Sequence, residues 1–200
     1  MHFETKMWKK IFSMIGPDID SNKPLSPKVL ADPNHNLVKT LIYIYSMESF
    51  IFSEMNKASR MKDESKIKFY GAFASALGFI IHCGNHKGAN LDRDFKVYRG
   101  LQMTKEELEL RFGIDTTINL QGFTSTSLSK ERALGFALRT PKPNNTSLED
   151  SEVTVPILLE ITFKGSHQFF SLNSSDYSSY PCEQEVLLQE GIKYRVCGIE

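Results

Sequence analysis

The residues best suited to chemistry lie in three short segments of the second half of the chain. The first ends at Arg99, the second is the triplet Ser125-Thr126-Ser127, and the third holds Glu183 and Glu185 with one residue between them. In a β-strand alternate side chains share a face roughly 6 to 7 Å apart, so a strand here would direct both glutamates to one side. Two carboxylates in one cleft can serve two partners in a reaction, as they do in glycosidases.

Each segment taken alone also has an ordinary structural explanation. An arginine ending a strand is usually a solvated edge residue, and a Ser/Thr cluster before a helix usually caps that helix. Two acids at alternate strand positions usually form an exposed face. The chemical interpretation therefore depends on all three segments occurring together and in this order.

Together, the segments resemble the Arg–Ser–Glu class of mono-ADP-ribosyltransferases, which use NAD+ as a substrate. That class has an arginine on an early strand, a Ser-Thr-Ser triplet on the next and a Glu-x-Glu pair leading a later strand. The corresponding residues here are Arg99, Ser125-Thr126-Ser127 and Glu183-Gln184-Glu185. The resemblance covers roughly the last hundred residues. It implies an ADP-ribosyltransferase-like α+β fold with an NAD-binding cleft, and a reaction that needs no metal and no cofactor besides its substrate NAD+.

The family's division of labour, carried onto these positions, implies a role for each residue. Glu185 would bind a ribose hydroxyl and stabilise the oxocarbenium-like cation that develops as nicotinamide leaves. Glu183 would orient and help deprotonate the acceptor. In this family a glutamate at that position is associated with arginine acceptors, because a carboxylate receives a guanidinium fork in bidentate fashion. Arg99 would hold the phosphates or the neighbouring ribose, and Gly100 would let backbone groups approach the nicotinamide amide.

The resemblance also implies roles for the serine triplet. Ser125 would hydrogen-bond Glu185 or the ribose and keep the carboxylate aligned. Thr126 and Ser127 would support the strand and cap the helix that follows. We therefore expect Ser125 to act closest to the reaction, with its two neighbours mainly as scaffold.

Aromatic residues supply the last candidates. Phe136 is the nearest ring that could stack on nicotinamide, although burial in the core competes with that role. Tyr177 and Tyr180 lie in the segment 174–182, which corresponds to the family's substrate-recognition loop, and either could contact an arginine-bearing target protein. The expected NAD-binding set is Arg99, Gly100, Ser125, Thr126, Ser127, Phe136 and Glu185.

The elements that must position these residues divide the chain near residue 90. Residues 1–90 are predicted to be mainly helical. Apolar residues from Leu37 to Phe52 recur at three- and four-residue steps, and a second apolar face from Ile67 to Ile81 ends at Cys83-Gly84-Asn85. Residues 1–32, interrupted by prolines, are predicted as one short helix and an irregular connector.

Residues 91–200 are predicted as the β-rich catalytic core of the same single domain, with two packed, antiparallel-rich sheets. A capping box of Thr104 and Glu107 begins one short helix, which Gly113 closes. A second helix runs from about Ser129 to Arg139, and Pro141–Ser151 is predicted as a long loop. The predicted strands are Phe95–Tyr98, Thr117–Thr124, Val153–Phe163, Gln168–Leu172, Glu185–Gln189 and Tyr194–Cys197.

Composition and absent motifs exclude several function classes. The 24 basic residues balance 24 acidic ones, and no basic run replaces the missing net charge, so we expect no nucleic-acid partner. The sequence has no Rossmann, P-loop, zinc-protease or esterase motif, and His82, Cys83 and His86 lack the further ligands that a metal site needs. Three cysteines, no secretory signal and no apolar stretch of spanning length favour a cytoplasmic protein without a membrane segment, with secretion by another route left open.

Three alternatives to arginine transfer remain at this stage. Water could replace arginine as the acceptor, which would make the protein an NAD+ glycohydrolase. The same fold could be a non-catalytic module that binds NAD or ADP-ribose, although intact residues at all the key positions argue against lost turnover. Finally, the helices of residues 33–86 could form an adaptor for which the β-rich half is only a scaffold.

Overall fold

The computed structural model describes residues 26–47, 50–83, 95–139, 153–163 and 169–200. Predictions for residues 1–25, for Gly84-Asn85 and for the loop Pro141–Ser151 lie outside these ranges. The described residues form a helical part followed by a β-rich part, so the predicted α+β class is confirmed. Within these ranges no helix is both long and apolar enough to cross a bilayer.

Four helices make up the described helical part: α1 (Pro27–Leu30), α2 (Asn36–Ser46), α3 (Phe50–Met61) and α4 (Glu64–Cys83). His35 caps the start of α2, where its ring nitrogen Nδ1 accepts a hydrogen bond from the Leu37 N–H at 3.2 Å. Buried apolar residues of α2 and α4, such as Ile42 and Leu77, are fully enclosed in one core.

The single helix predicted over Leu37 to Phe52 is wrong, because α2 ends at Ser46 and a new helix begins at Phe50. The Ser46 hydroxyl donates a hydrogen bond to the Tyr43 carbonyl at 2.8 Å. Back-bonding of this kind competes with the regular hydrogen-bond ladder of a helix. A three- and four-residue apolar period continues across such a break, so periodicity alone did not reveal it.

Seven strands make up the described residues of the β-rich part: β1 (Phe95–Thr104), β2 (Thr117–Asn119), β3 (Thr124–Ser127), β4 (Thr154–Phe163), β5 (Phe169–Ser171), β6 (Glu185–Leu188) and β7 (Lys193–Arg195). Five of them form an antiparallel sheet in the order β4-β1-β3-β6-β5, and β2 pairs with β7 in a second sheet. Strand β4 lies at an edge of the large sheet, which explains how it tolerates Pro156.

Two predicted strands differ from the structure by more than two residues, whereas the bounds of the others differ by one or two. Strand β1 runs six residues beyond Tyr98, because its full length pairs with β4 even where its sequence lacks β-branched residues. The run Thr117–Thr124 forms two strands in different sheets, and Gly122 lies between them with a φ of +76°. That left-handed conformation favours glycine and turns the chain from one sheet to the other.

The two predicted helices of this part are present as α5 (Lys105–Arg111) and α6 (Lys130–Ala137). The capping box is confirmed: the Glu107 N–H donates to the Thr104 hydroxyl, and the Glu107 carboxylate accepts from the Thr104 N–H. Ser129 caps α6 by accepting from the Arg132 N–H at 3.2 Å. Both helices thus begin where their side chains satisfy otherwise unpaired backbone donors.

The large sheet separates two hydrophobic cores. Leu187 packs into the core that contains the helices, whereas its neighbours Val186 and Leu188 pack into a second core on the other face. Ile118 and Tyr194 of the small sheet pack against this second core, which confirms two packed sheets. These three of the four β6 residues are fully buried, so β6 is fixed from both sides.

Candidate active site

Adjacent strands bring the three chemical segments together. Tyr98 on β1 pairs with Ser127 on β3, and Ser127 pairs in turn with Glu185 on β6. These short antiparallel pairings align the three motifs across neighbouring strands, within reach of long side chains. Segments 26 and 60 residues apart in sequence therefore meet at one place.

A chain of hydrogen bonds joins the central residues. The guanidinium of Arg99 donates through Nη1 to the Ser125 carbonyl at 2.6 Å. The Ser125 hydroxyl donates through Oγ to the Glu185 carboxylate oxygen Oε1 at 2.5 Å. A short bond to an ionised acceptor is strong, and it fixes the carboxylate that begins β6 relative to the neighbouring strand β3.

Glu183 reaches the site by a different route from the one predicted. It ends a 3₁₀ helix, Pro181–Glu183, and Gln184 then turns the chain with a φ of +49° before β6 begins. The assumption that both glutamates alternate along one strand is therefore wrong. Gln184 is still exposed, and a left-handed turn returns both glutamates to the same cavity.

The cavity has a volume of about 180 Å³. All the predicted NAD-binding and acidic residues contribute to its wall: Arg99, Gly100, Ser125, Thr126, Ser127, Phe136, Glu183 and Glu185. Four further residues complete its lining: Tyr45, Ser46, Tyr98 and Ala133. The site thus combines a cation, two carboxylates, hydroxyls and an aromatic ring in one depression.

Thr126 and Ser127 are buried and bonded to the main chain of the third segment. The Thr126 hydroxyl donates to the Val186 carbonyl at 2.7 Å, and the Ser127 hydroxyl donates to the Glu183 carbonyl at 2.6 Å. Ser127 also accepts from the Ser129 N–H at 3.0 Å, next to the start of α6. Both side chains therefore connect strands and turns around the cavity.

Gly100 allows α6 to lie directly against β1. A Cβ atom at this position would lie 1.8 Å from the Ala133 carbonyl oxygen, which is too close for any side chain. The resulting close packing brings Phe136 to the cavity wall. The guanidinium carbon of Arg139 lies over the Phe136 ring, 4.1 Å from its centroid, so a second cation stands beside the cavity.

The comparison with known families agrees with this geometry. A sequence model of the ADP-ribosyltransferase exoenzyme family matches residues 84–200, more than half of the chain. The chain belongs to this family. The match contains all three chemical segments, whereas the helical part lies outside it. No curated protein matches the chain at the level of sequence.

Solved ADP-ribosyltransferases share the fold at low sequence identity. The Vis toxin of Vibrio splendidus superposes with a TM-score of 0.61 at 17% identity, over 98% of this chain and 80% of its own. C3stau2 of S. aureus, solved with NAD, gives a TM-score of 0.55 at 18% identity, over 95% of this chain and 84% of its own. The eucaryotic mono-ADP-ribosyltransferase ART2.2 gives a TM-score of 0.51 at 22% identity, over 95% of this chain and 66% of its own. The Vis toxin has also been solved in complex with agmatine, with a TM-score of 0.60 at 19% identity, over 81% of this chain and 67% of its own.

The two tyrosines that precede the glutamates have different surroundings in this family member. The Tyr177 hydroxyl donates to the Pro33 carbonyl at 3.0 Å, and its ring packs edge-on against Phe170. Burial raises the pKa of Tyr177 above its ordinary value. Tyr180 is 46% exposed, so of these two tyrosines it is the one that faces solvent.

Of the four cavity residues that sequence reasoning missed, Tyr98 and Ala133 lie on β1 and α6, and the other two come from the helical part. Tyr45 and Ser46 lie in the last turn of α2, and the apolar pattern indicated only that Tyr45 is part of the core. The one sequence signal for this part of the cavity was Ser46, a polar residue at the end of an apolar helix, and it is buried in the structure.

Within the described ranges no group of three His, Cys, Asp or Glu side chains is arranged to hold a metal ion.

Proposed function

We propose that the protein is a mono-ADP-ribosyltransferase that moves ADP-ribose from NAD+ to arginine side chains. The observation that carries this proposal is the hydrogen-bonded series Arg99–Ser125–Glu185 in the wall of one cavity, with Glu183 beside it. Membership of the ADP-ribosyltransferase exoenzyme family supports the reaction class. The acceptor and the residue roles are our proposal.

Glu185 acts on the sugar. When the C1′–N bond of NAD+ breaks, the bonding electrons leave with nicotinamide and the ribose gains oxocarbenium character. A fixed carboxylate is then worth more in the transition state than in the ground state, because positive charge develops beside it. The hydrogen bond from Ser125 holds this carboxylate in place before NAD+ arrives.

Arg99 and Phe136 suit the rest of the dinucleotide. A guanidinium presents planar donors that match phosphate oxygens, and an aromatic ring can stack on the flat nicotinamide. Arg139 stands over Phe136 and adds positive charge at the same wall. The cavity, at about 180 Å³, is smaller than typical pockets for drug-sized ligands, roughly 300 to 1,000 Å³, and suits the reacting end of NAD+ rather than the whole molecule.

Glu183 supports arginine as the acceptor. Its carboxylate lies in the same cavity as Glu185 and can receive two N–H donors from one guanidinium. In the transfer step a guanidinium nitrogen forms the new bond to C1′, and Glu183 takes the proton that this nitrogen loses. The complex of the structurally similar Vis toxin with agmatine, which carries the same guanidinium group, agrees with this choice.

Product analysis with agmatine tests the proposal. The full chain is incubated with NAD+ with and without agmatine, and nicotinamide, ADP-ribose and ADP-ribosylagmatine are measured separately. We expect agmatine to become the main acceptor and Glu183→Gln to lower its modification at least about tenfold, with a smaller effect on hydrolysis. Nicotinamide release with ADP-ribose as the only product would identify a glycohydrolase, and NAD+ binding without nicotinamide release would identify a non-catalytic module. Equal loss of both activities in Glu183→Gln would contradict the role of Glu183.

A further inference from the structure

The helical part holds the segment that leads to Glu183. Residues 174–183 form what we call the recognition segment, and it contacts helix α2 and the residues before it at three points. The Tyr177 hydroxyl donates to the Pro33 carbonyl, the Asp176 carboxylate pairs with Lys39 at 2.8 Å, and the Ser179 N–H donates to the Ser46 hydroxyl at 3.2 Å. The hydrogen bond to Asp176 raises the pKa of Lys39.

The three contacts differ in burial. The Lys39–Asp176 pair is exposed, with 30% and 56% of the two side chains accessible, and exposed pairs contribute about 0 to 1 kcal/mol. Ser46 is only 5% exposed and makes two hydrogen bonds through one hydroxyl, since it donates to the Tyr43 carbonyl and accepts from Ser179. The hydrogen bond between Ser46 and Ser179 is part-buried, and a shielded donor that loses its acceptor costs more than an exposed pair, so this contact fixes the segment more strongly.

From Ser179 the restraint reaches Glu183 through short hydrogen bonds. The neighbouring Ser178, 2% exposed, accepts from the Tyr180 N–H at 2.9 Å. The Tyr180 carbonyl then accepts from the Glu183 N–H at 2.9 Å, and Ser127 binds the Glu183 carbonyl from the other side. Only three residues separate Ser179 from Glu183, so a shift of the first moves the second.

We infer that Ser46 is a positioning residue of the transfer reaction, which acts through the recognition segment and sets where Glu183 meets the acceptor. The inference rests on the proposed function. Ser46 also lines the cavity, so the end of α2 supports one wall directly and holds the other through Ser179. Because Glu185 is held by Ser125 instead, loss of the Ser46 hydroxyl affects acceptor use more than cleavage of NAD+.

The test compares Ser46→Ala with Ser46→Thr and with Ser65→Ala. Ser65 provides the matched control, because its hydroxyl also makes a hydrogen bond, to Asp63 at 2.7 Å, but at an exposed site. With NAD+ and agmatine, we expect Ser46→Ala to lower the ratio of ADP-ribosylagmatine to free ADP-ribose at least about fivefold. Ser46→Thr keeps the hydroxyl and restores most of the ratio, and Ser65→Ala leaves it unchanged. Hydrogen exchange of the Ser179 amide should be faster in Ser46→Ala than in the wild type.

The outcomes separate this inference from the proposed function. A wild-type chain that releases nicotinamide without modifying agmatine overturns the arginine acceptor and this inference together. A wild-type chain that modifies agmatine, with a Ser46→Ala variant of the same product ratio, overturns this inference alone. Unchanged exchange at Ser179, or equal loss of transfer and hydrolysis in Ser46→Ala, also overturns it, because Ser46 then has no specific effect on the recognition segment.

Discussion

The helical and β-rich parts of this protein contribute to one cavity in different ways. The β-rich part carries Arg99, the serine triplet and both glutamates, and it lies within the stretch that the family model matches. The helical part lies outside that stretch, yet its Tyr45 and Ser46 line the same cavity. The groups that we propose to act in the reaction are therefore concentrated in short motifs, whereas the groups that hold them are spread over both parts.

A buried polar cluster connects the two parts near the start of β3. Asn56 of α3 accepts from the Phe123 N–H at 3.1 Å and donates to the Tyr45 hydroxyl at 3.1 Å. The Tyr45 hydroxyl lies 3.4 Å from the Phe123 carbonyl. Gly122 makes room for this cluster, because a Cβ there would lie 2.7 Å from the Asn56 side-chain oxygen. The corner that leads to Ser125 is thus held by residues from the helices.

The largest expected effect tests the β-rich part, which carries the groups proposed to act in the reaction. Glu185→Gln keeps the size of the side chain but removes the charge that, in the proposed mechanism, stabilises the ribose cation. We expect nicotinamide release to fall by about a thousandfold, both with and without agmatine, since both reactions cleave the same bond. Release of nicotinamide from labelled NAD+ measures this loss, and circular dichroism checks that the variant folds. A folded Glu185→Gln variant with wild-type turnover would remove Glu185 from the mechanism.

The sequence was informative where local pattern and tertiary position agree. The capping box at Thr104 and the helix capped by Ser129 depend on residues a few positions apart, so both could be predicted from the sequence. The meeting of Arg99, Ser125 and Glu185 was expected from the resemblance to the family, which supplies the long-range pairing that local patterns lack. The fold class and eight of the twelve cavity residues could therefore be predicted from the sequence.

The errors occurred where non-local contacts override local preference. Pairing with β4 extends β1 through Gly100, and the left-handed turn at Gln184 removes Glu183 from the strand that alternation predicted. The positions of Tyr45 and Ser46 follow from where α2 ends against the recognition segment. Such information is a property of packing between distant segments and has no local motif.

A smaller effect tests whether the two parts fold as one unit. Asn56→Ala leaves the buried Phe123 N–H without its acceptor and the Tyr45 hydroxyl without its donor. We expect the free energy of unfolding to fall by about 2 to 3 kcal/mol, measured by denaturant titration. Because Asn56 joins both parts, far- and near-ultraviolet circular dichroism should report one shifted transition. The exposed Asn36→Ala provides the control, with an expected change below about 0.5 kcal/mol. Two separate transitions would indicate that the helices are an independent unit.

The smallest expected effect compares two tyrosine hydroxyls, one in each setting. The Tyr194 hydroxyl of β7 is buried and finds no hydrogen-bond partner among the described residues, whereas that of Tyr177 donates to Pro33. We therefore expect Tyr194→Phe to raise the free energy of unfolding by up to about 1 kcal/mol and Tyr177→Phe to lower it by about 1 kcal/mol.

The pH dependence of stability distinguishes Tyr194 further. Burial raises the pKa of Tyr194 from 10.0 to about 12, because the phenolate is disfavoured in the core. The folded pKa lies above the unfolded one, so this contribution to stability is complete below pH 10 and is lost as the pH rises towards 12. Denaturant titrations between pH 9 and 12, a range that runs from below the ordinary pKa of 10.0 up to the raised value, should show a wild type that loses stability faster than Tyr194→Phe. Equal slopes for the two proteins would mean that the Tyr194 hydroxyl is solvated, and the small sheet would then cover the second core less closely than its ring contacts with Phe163 indicate.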